Sequence, residues 1–348
     1  MTIASAPAAA RSVATIRNTS QNTPFFIFGC PRSGTSLLSK MLGAHPNLGI
    51  PGESHFYNNI YPAVMRHADL AHTATRARLV LEMLRTEHIQ MWVPSPSVAE
   101  TLSAVTQYDF HGVVDALMTT WAKSQGKMRW GEKTPQHTLC WRRILPAFPR
   151  ARVINVVRDG RDVALSYKRA FFGPKHVYPL AQRWEQYLRS AEEARAFLGE
   201  EAYLQVRYED LLAHPEQELR RICSFLEEDF NLSMLTYYES QSGRRREPRN
   251  AHNLCLPIIS SNVGKWRTEM SLRELRIFEA LAGSTLERYG YTRALEHPRV
   301  GPWESLSCRY LEHPSRRAPA LLANSQARRL TIQKLRLHVS LFLERQMH

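Results

Sequence analysis

Residues 29–36, Gly-Cys-Pro-Arg-Ser-Gly-Thr-Ser, bring together the residue types that can hold a phosphate-like anion. Gly29 and Gly34 have the spacing of a phosphate-cradling turn. Before them an apolar run, Phe25 to Phe28, reads as a buried strand, and from Ser36 the pattern reads as an amphipathic helix start. Such a loop aims backbone N–H groups and the positive end of the helix dipole at an anion. Nucleotide hydrolases continue this loop with Gly-Lys-Ser/Thr. Here Thr35 and Ser36 follow Gly34, so that lysine is missing and the cation of the loop is Arg32. The expected cradle is therefore Arg32, Ser33, Gly34, Thr35 and Ser36, without the lysine an ATPase or GTPase needs.

A second stretch follows the same logic. Arg158 ends the apolar run 152–157, and Ser166 stands eight residues later, about two turns into the next predicted helix. An arginine and a hydroxyl so placed can grip one phosphate between them. The alternative is that Arg158 pairs with Asp159 or Asp162 at the helix start and that Ser166 is packed.

The elements that must position these groups are strands at 24–29, 152–157 and 202–208. Helices are expected at 36–44, 136–146, from 160 past Tyr167, at 179–198 and at 215–226, with a mostly helical stretch over 56–125. Strands so far apart need crossovers, which gives an α/β fold: a parallel β-sheet flanked by helices on both faces. Ligands on such sheets bind at the carboxyl ends of the strands. Arg32, Arg158 and Tyr208 each lie just after a strand, so three candidate contacts project from one edge.

The chain has 348 residues, 43% hydrophobic and 22% charged, ordinary values for a globular protein. Its net charge of +14 is not ordinary and favours anionic partners. No zinc-finger spacing or stacked-aromatic RNA signature is present, which speaks against nucleic acid. Five cysteines (Cys30, Cys140, Cys223, Cys255, Cys308) are scattered without a Cys-x-x-Cys pair. That argues against a disulfide framework or structural zinc, and with no apolar signal or spanning run it predicts a cytoplasmic protein. Residues 1–23 read as a disordered leader, and 297–348 as a basic helical extension with nine Arg/Lys and three Glu. Within that extension Leu321, Ile332, Leu335, Val339, Phe342 and Leu343 keep helical spacing. It can pack against the body or a second copy as a homodimer, or lie on an anionic membrane.

Together the two anion loops resemble the sulfotransferases that use 3'-phosphoadenosine-5'-phosphosulfate (PAPS). The resemblance continues through Ala44-His45-Pro46 with Gly52-Glu53, Gly131-Glu132-Lys133-Thr134-Pro135, Arg207-Tyr208-Glu209-Asp210-Leu211 with His214-Pro215, and Val263-Gly264-Lys265-Trp266. It covers about residues 24–292, within a catalytic domain placed at 24–296. From Pro31 to Glu53 the chain looks most like the tyrosylprotein sulfotransferases and their bacterial relatives.

This resemblance implies a P-loop-like sulfotransferase fold and specific roles. The first loop would hold the 5'-phosphosulfate, and the Arg158–Ser166 pair the 3'-phosphate. Lys133 would stabilise charge on the bridging oxygen, with Glu132 able to orient it; its bland alternative is a surface pair with Glu132. Glu53 would be the general base for the acceptor hydroxyl, with His55 and His137 as rivals, and burial would have to raise its pKa towards neutrality. Tyr208, Lys265 and Trp266 are expected near the nucleotide, the last two closing over it after the basic loop Arg244–Arg249. The tyrosylprotein enzymes carry a serine immediately before the lysine matched by Lys265; Gly264 stands there instead. No metal is expected. The rival functions are a nucleotide kinase or NTPase on a P-loop-like scaffold, and a noncatalytic binder of nucleotides or other anions.

Overall fold

The computed structural model describes residues 23–170, 172–239 and 254–315, with 329, 332, 335, 336 and 339. The leader up to residue 22, the basic loop Arg244–Arg249 and the rest of the tail lie outside the described residues.

Five strands, β1 (Phe25–Gly29), β2 (Leu48–Gly49), β3 (Arg129–Glu132), β4 (Arg152–Val157) and β5 (Tyr203–Arg207), form one parallel sheet in the order β2-β3-β1-β4-β5. The order follows from composition. β1 is buried along its whole length, and a strand covered on both faces belongs in the middle of a parallel sheet. Its side chains alternate between two cores: Phe26 and Phe28 pack with the helix Phe110–Ser124, while Phe25 and Ile27 pack with the helices Thr35–Gly43 and Pro215–Leu226. A third core joins Val157 to the helices Gly160–Arg169, Val177–Leu198 and Leu272–Arg288.

The helices obey local rules. Pro215–Leu226 starts on its proline and buries Leu219, Ile222, Cys223 and Leu226, the i, i+3, i+4, i+7 stripe. Leu272–Arg288 opens with a capping box between Ser271 and Glu274. The stretch 56–125 is a run of short helices ending in Phe110–Ser124. The expected helix over 136–146 is a 3-10 turn, Pro135–Cys140, followed by one α-turn, Trp141–Ile144.

Strands β2 and β3 were not anticipated. β2 has two residues, and β3 (Arg-Trp-Gly-Glu) carries no apolar alternation. Tertiary partners stabilise β3: Arg129 is buried, and its guanidinium donates to the carbonyls of Thr23 and Leu226 and faces Glu228 at 3.7 Å. Gly131 leaves room for Phe25, since an added Cβ would fall 2.2 Å from that ring.

Beyond residue 297, the helix Pro302–Ser307 and the turn Cys308–Glu312 pack on Leu272–Arg288, with Cys308 buried in the third core and Arg273 gripping Glu312 at 2.7 Å. Farther on, Ile332, Leu335 and Val339 are helical and exposed, while Arg329 and Arg336 approach Glu87 and Glu82 at 3.7 and 3.8 Å. Among the described residues no helix is long and apolar enough to cross a membrane.

Candidate active site

The loop after β1 turns on residues held at positive φ. Arg32 sits at 76° and Gly34 at 96°, and the turn is closed by the Ser33 amide donating to the Cys30 carbonyl at 3.0 Å. The helix Thr35–Gly43 then begins with no side-chain cap and no acidic residue in its first turn. Its first N–H groups therefore face the loop mouth, as an anion site requires. Gly34 carries a second constraint: the Tyr208 ring lies on it, and an added Cβ would fall 2.2 Å from that ring. Gly34→Ala is expected to cost at least about 1–2 kcal/mol from the left-handed backbone alone. Displacing Tyr208 adds to this, and urea unfolding measures the sum.

The two arginines meet. Arg32 donates from Nε to Ser166 Oγ at 2.9 Å, and Arg158 donates from Nη1 to the Arg32 carbonyl at 3.2 Å. Arg158 also bonds the Asn262 carbonyl at 2.8 Å, lies 4.5 Å above the Tyr208 ring and faces Asp162 at 3.8 Å. Burial, then the neighbouring Arg158, pushes the Arg32 pKa down: two guanidiniums side by side are short of negative charge. Arg158 Nε and Ser33 Oγ are buried without a hydrogen-bond partner. Unused donors in a basic cradle fit an anionic ligand.

On the other side of the loop, Lys133 extends from the end of β3. Its ammonium donates to Ser36 Oγ at 3.1 Å and to Glu53 Oε1 at 2.5 Å. It brings to the helix start the lysine that the loop's own sequence lacks. The Glu53 side chain is 32% exposed against 7% for Lys133, so the carboxylate faces outward and the ammonium inward. Burial acts to raise the Glu53 pKa, but Lys133 and His55, whose Nε2 lies 3.3 Å from Oε2, outweigh it. The carboxyl is held well below the usual range, the reverse of the expected upward shift.

The sequence model described as the sulfotransferase family matches residues 24–231, more than half of the chain. The chain belongs to that family. Among its relatives, protein-tyrosine sulfotransferase of Drosophila melanogaster is 24% identical over 253 residues, 69% of this chain but 46% of that protein. Protein-tyrosine sulfotransferase 1 of Danio rerio is 25% identical, with 83% of this chain and 80% of the relative covered. Nodulation protein NoeE of Sinorhizobium fredii is 23% identical over 79% of this chain and 67% of its own length. The fold matches the sulfotransferase domain from the curacin biosynthetic pathway, with TM-score 0.51, 20% identity and coverage of 78% and 98%. It also matches the sulfotransferase domain of the Synechococcus PCC 7002 olefin synthase, with TM-score 0.50, 24% identity and coverage of 75% and 95%.

Within this sulfotransferase, several residues sit differently from expectation. The Arg32 side chain reaches from the first loop to Ser166, so the two anion groups are contiguous rather than separate. Glu132 does not orient Lys133. Its fully enclosed carboxylate accepts from Ser54 Oγ at 2.7 Å, Thr134 Oγ1 at 2.6 Å, the Thr134 amide at 3.1 Å and His137 Nδ1 at 2.7 Å. His137 is wholly buried, and its Nε2 accepts from the Tyr57 amide at 3.2 Å. With both ring nitrogens engaged, it has no free lone pair with which to act as a base. Its role here is to fix the start of β3's loop.

Tyr208 is buried on Gly34, and its hydroxyl accepts from Asn262 Nδ2 at 2.8 Å. Trp266 is also buried, beneath the Arg161 guanidinium at 3.5 Å, rather than open to a nucleotide. Lys265 precedes it, half-buried, at the start of Trp266–Glu269. Asp162 holds this turn through the amides of Gly264 at 2.7 Å and Trp266 at 2.9 Å. Asn262, which ties Arg158 to Tyr208, was missed: a single asparagine in a loop gives no local signal. Cys30 is a buried thiol pushed up to about 12 by burial, consistent with a small packed side chain.

Proposed function

We propose that this sulfotransferase moves a sulfuryl group from PAPS to the hydroxyl of an acceptor (carbohydrate, small molecule or peptide tyrosine) by in-line displacement with Glu53 as general base. One observation carries the reading. A doubly cationic cradle with unused donors adjoins an ammonium–carboxylate pair, all at the carboxyl edge of the sheet. PAPS would supply an activated sulfuryl group whose leaving phosphate is already a stable anion.

In this reading Arg158, Ser166 and Arg32 grip the 3'-phosphate side, and the N–H groups opening Thr35–Gly43 take the 5'-phosphate side. Lys133 has two partners, Ser36 in the cradle and Glu53 on the outward side. Exchanging the second for the leaving oxygen places its charge where charge develops. The same exchange frees Glu53 Oε1 to accept the acceptor's proton and lifts the depression of its pKa. Each residue then does in the transition state what it does not do at rest. The protein-tyrosine sulfotransferases among the relatives support testing a peptide tyrosine first, and Gly264 in place of their serine supports testing sugars and small phenols beside it.

Calorimetry with 3',5'-ADP tests the cradle, and a labelled PAPS screen over an acceptor panel tests the transfer. Arg158→Ala is expected to weaken 3',5'-ADP binding about 10- to 150-fold, the loss of about 1.5–3 kcal/mol for a hydrogen bond to a charged group. Binding of ATP in place of 3',5'-ADP, with hydrolysis, would favour the NTPase reading instead.

A further inference from the structure

We infer that His55 is a positioning residue for the transfer, holding one oxygen of Glu53 so that the other is presented to the acceptor hydroxyl. This rests on the reading of Glu53 as the base.

The geometry suits one direction of donation. His55 Nδ1 lies 3.2 Å from Asn58 Nδ2, whose amide also donates to Asn59 Oδ1 at 3.1 Å. In the neutral ring with its proton on Nε2, Nδ1 accepts from Asn58 and Nε2 donates towards Glu53 Oε2 at 3.3 Å. Asn58 donates to His55 and His55 donates to Glu53, one direction from the turn Phe56–Ile60 to the accepting carboxylate. Lys133 holds the other oxygen, Oε1, at 2.5 Å. When the ammonium is drawn to the leaving group, Oε1 is released while Oε2 stays tethered. A base held at one oxygen keeps its aim, which a carboxylate one-third exposed would otherwise lose to solvent.

Three further features fix the residue. Its backbone occupies the left-handed region at φ 54°, uncommon for a side-chain-bearing residue and a mark of a site whose surroundings over-determine it. The His55 amide donates to Thr134 Oγ1 at 3.3 Å, linking this loop to the Glu132 network below. On one face the His88 ring packs at 4.1 Å between centroids. Burial pushes the His88 pKa down to about 4, so His88 is a neutral wall at working pH. The charged and titratable groups facing this pair are thus Lys133 from just after β3, Arg32 from the cradle loop and His88 from Glu87–Gln90. None of them replaces the Nε2–H.

The test compares three variants of the full chain. His55→Ala is expected to lower kcat about 10- to 100-fold, the order of loss from a misplaced reacting group. KM for PAPS should hold, and the acidic limb of kcat/KM should move to higher pH because the ionised carboxylate loses a donor. His55→Gln, which keeps an N–H donor, is expected to recover part of the rate. Glu53→Gln serves as the control for the base itself. If it is inactive while His55→Ala keeps the wild-type kcat and pH limb, the positioning role is overturned and the base stands. If Glu53→Gln is fully active, the base reading falls and this inference with it. A His55→Gln variant as inactive as Glu53→Gln would make His55 the base and overturn the proposal. Nitrogen-15 shifts of His55 in the donor-free protein should report the Nε2–H tautomer; the Nδ1–H tautomer overturns it without any assay of turnover.

Discussion

Glu53→Gln is expected to lower kcat by about 10²- to 10⁴-fold, the usual worth of a general base, with the affinity for 3',5'-ADP unchanged. Glutamine is nearly isosteric, so the loop from Gly52 to His55 keeps its shape and the cradle around Arg32 and Arg158 is untouched. What disappears is the proton acceptor and the charge that Lys133 meets at rest. The pH profile gives a second check. Lys133 and His55 depress the Glu53 pKa in the free protein. The wild-type acidic limb of kcat/KM attributable to this group should therefore fall below about pH 4.3, the ordinary glutamate value. The linkage has the same sign. A depressed folded-state pKa contributes stability that is present above the unfolded value and lost as pH falls through the folded one. Stopped assays from about pH 3 to 9 with wild type and variant follow both the rate and the limb. A wild-type kcat in Glu53→Gln would remove Glu53 from the mechanism.

Lys133→Ala is the second large effect, a loss of about 10²- to 10³-fold in kcat, as for removal of one fixed donor at a developing oxyanion. Its signature separates it from a binding defect: kcat and kcat/KM should fall together, because the contact is made only in the transition state. Lys133→Arg is not expected to rescue. A planar fork does not reproduce a point donor lodged between Ser36 at 3.1 Å and Glu53 at 2.5 Å. The variant should fold, because Lys133 takes no part in the Glu132 network that anchors this loop. If KM for PAPS rose with kcat unchanged, the ammonium would serve ground-state binding only.

The two experiments interlock. Glu53 and Lys133 are in contact, so their losses are not expected to add. A double variant only slightly worse than the poorer single one would show that they act as a unit. Fully additive losses would place them in separate steps.

Much of this was legible in the chain itself, and the reasons are local. The strands β1 and β4 announce themselves as short apolar runs, β5 as a shorter mixed one, and Pro215–Leu226 is written out to the residue by its proline and its apolar stripe. Gly29 and Gly34 mark the anion loop because their positive-φ backbones disfavour other residues. Even the missing loop lysine is a local fact. By contrast β3 reads as polar, since its stability comes from partners for Arg129 and Glu132 that lie elsewhere. The pairing of Glu132 with His137 is equally hidden: a Glu-Lys pair in sequence invites an ion pair, but Glu132 bonds Ser54, Thr134 and His137 while Lys133 turns to Ser36 and Glu53.

The sequence by itself thus determined β1, β4 and β5, the anion loop and the identity of the charged residues, because each is encoded within a few neighbouring positions. Only the tertiary structure decided who meets whom. Lys133 reaches Glu53 across 80 positions and Arg32 reaches Ser166 across 134, distances over which no periodicity or propensity acts. The parallel crossovers close those gaps, and with them decide that Glu53 is held ionised and that His137 is sealed in.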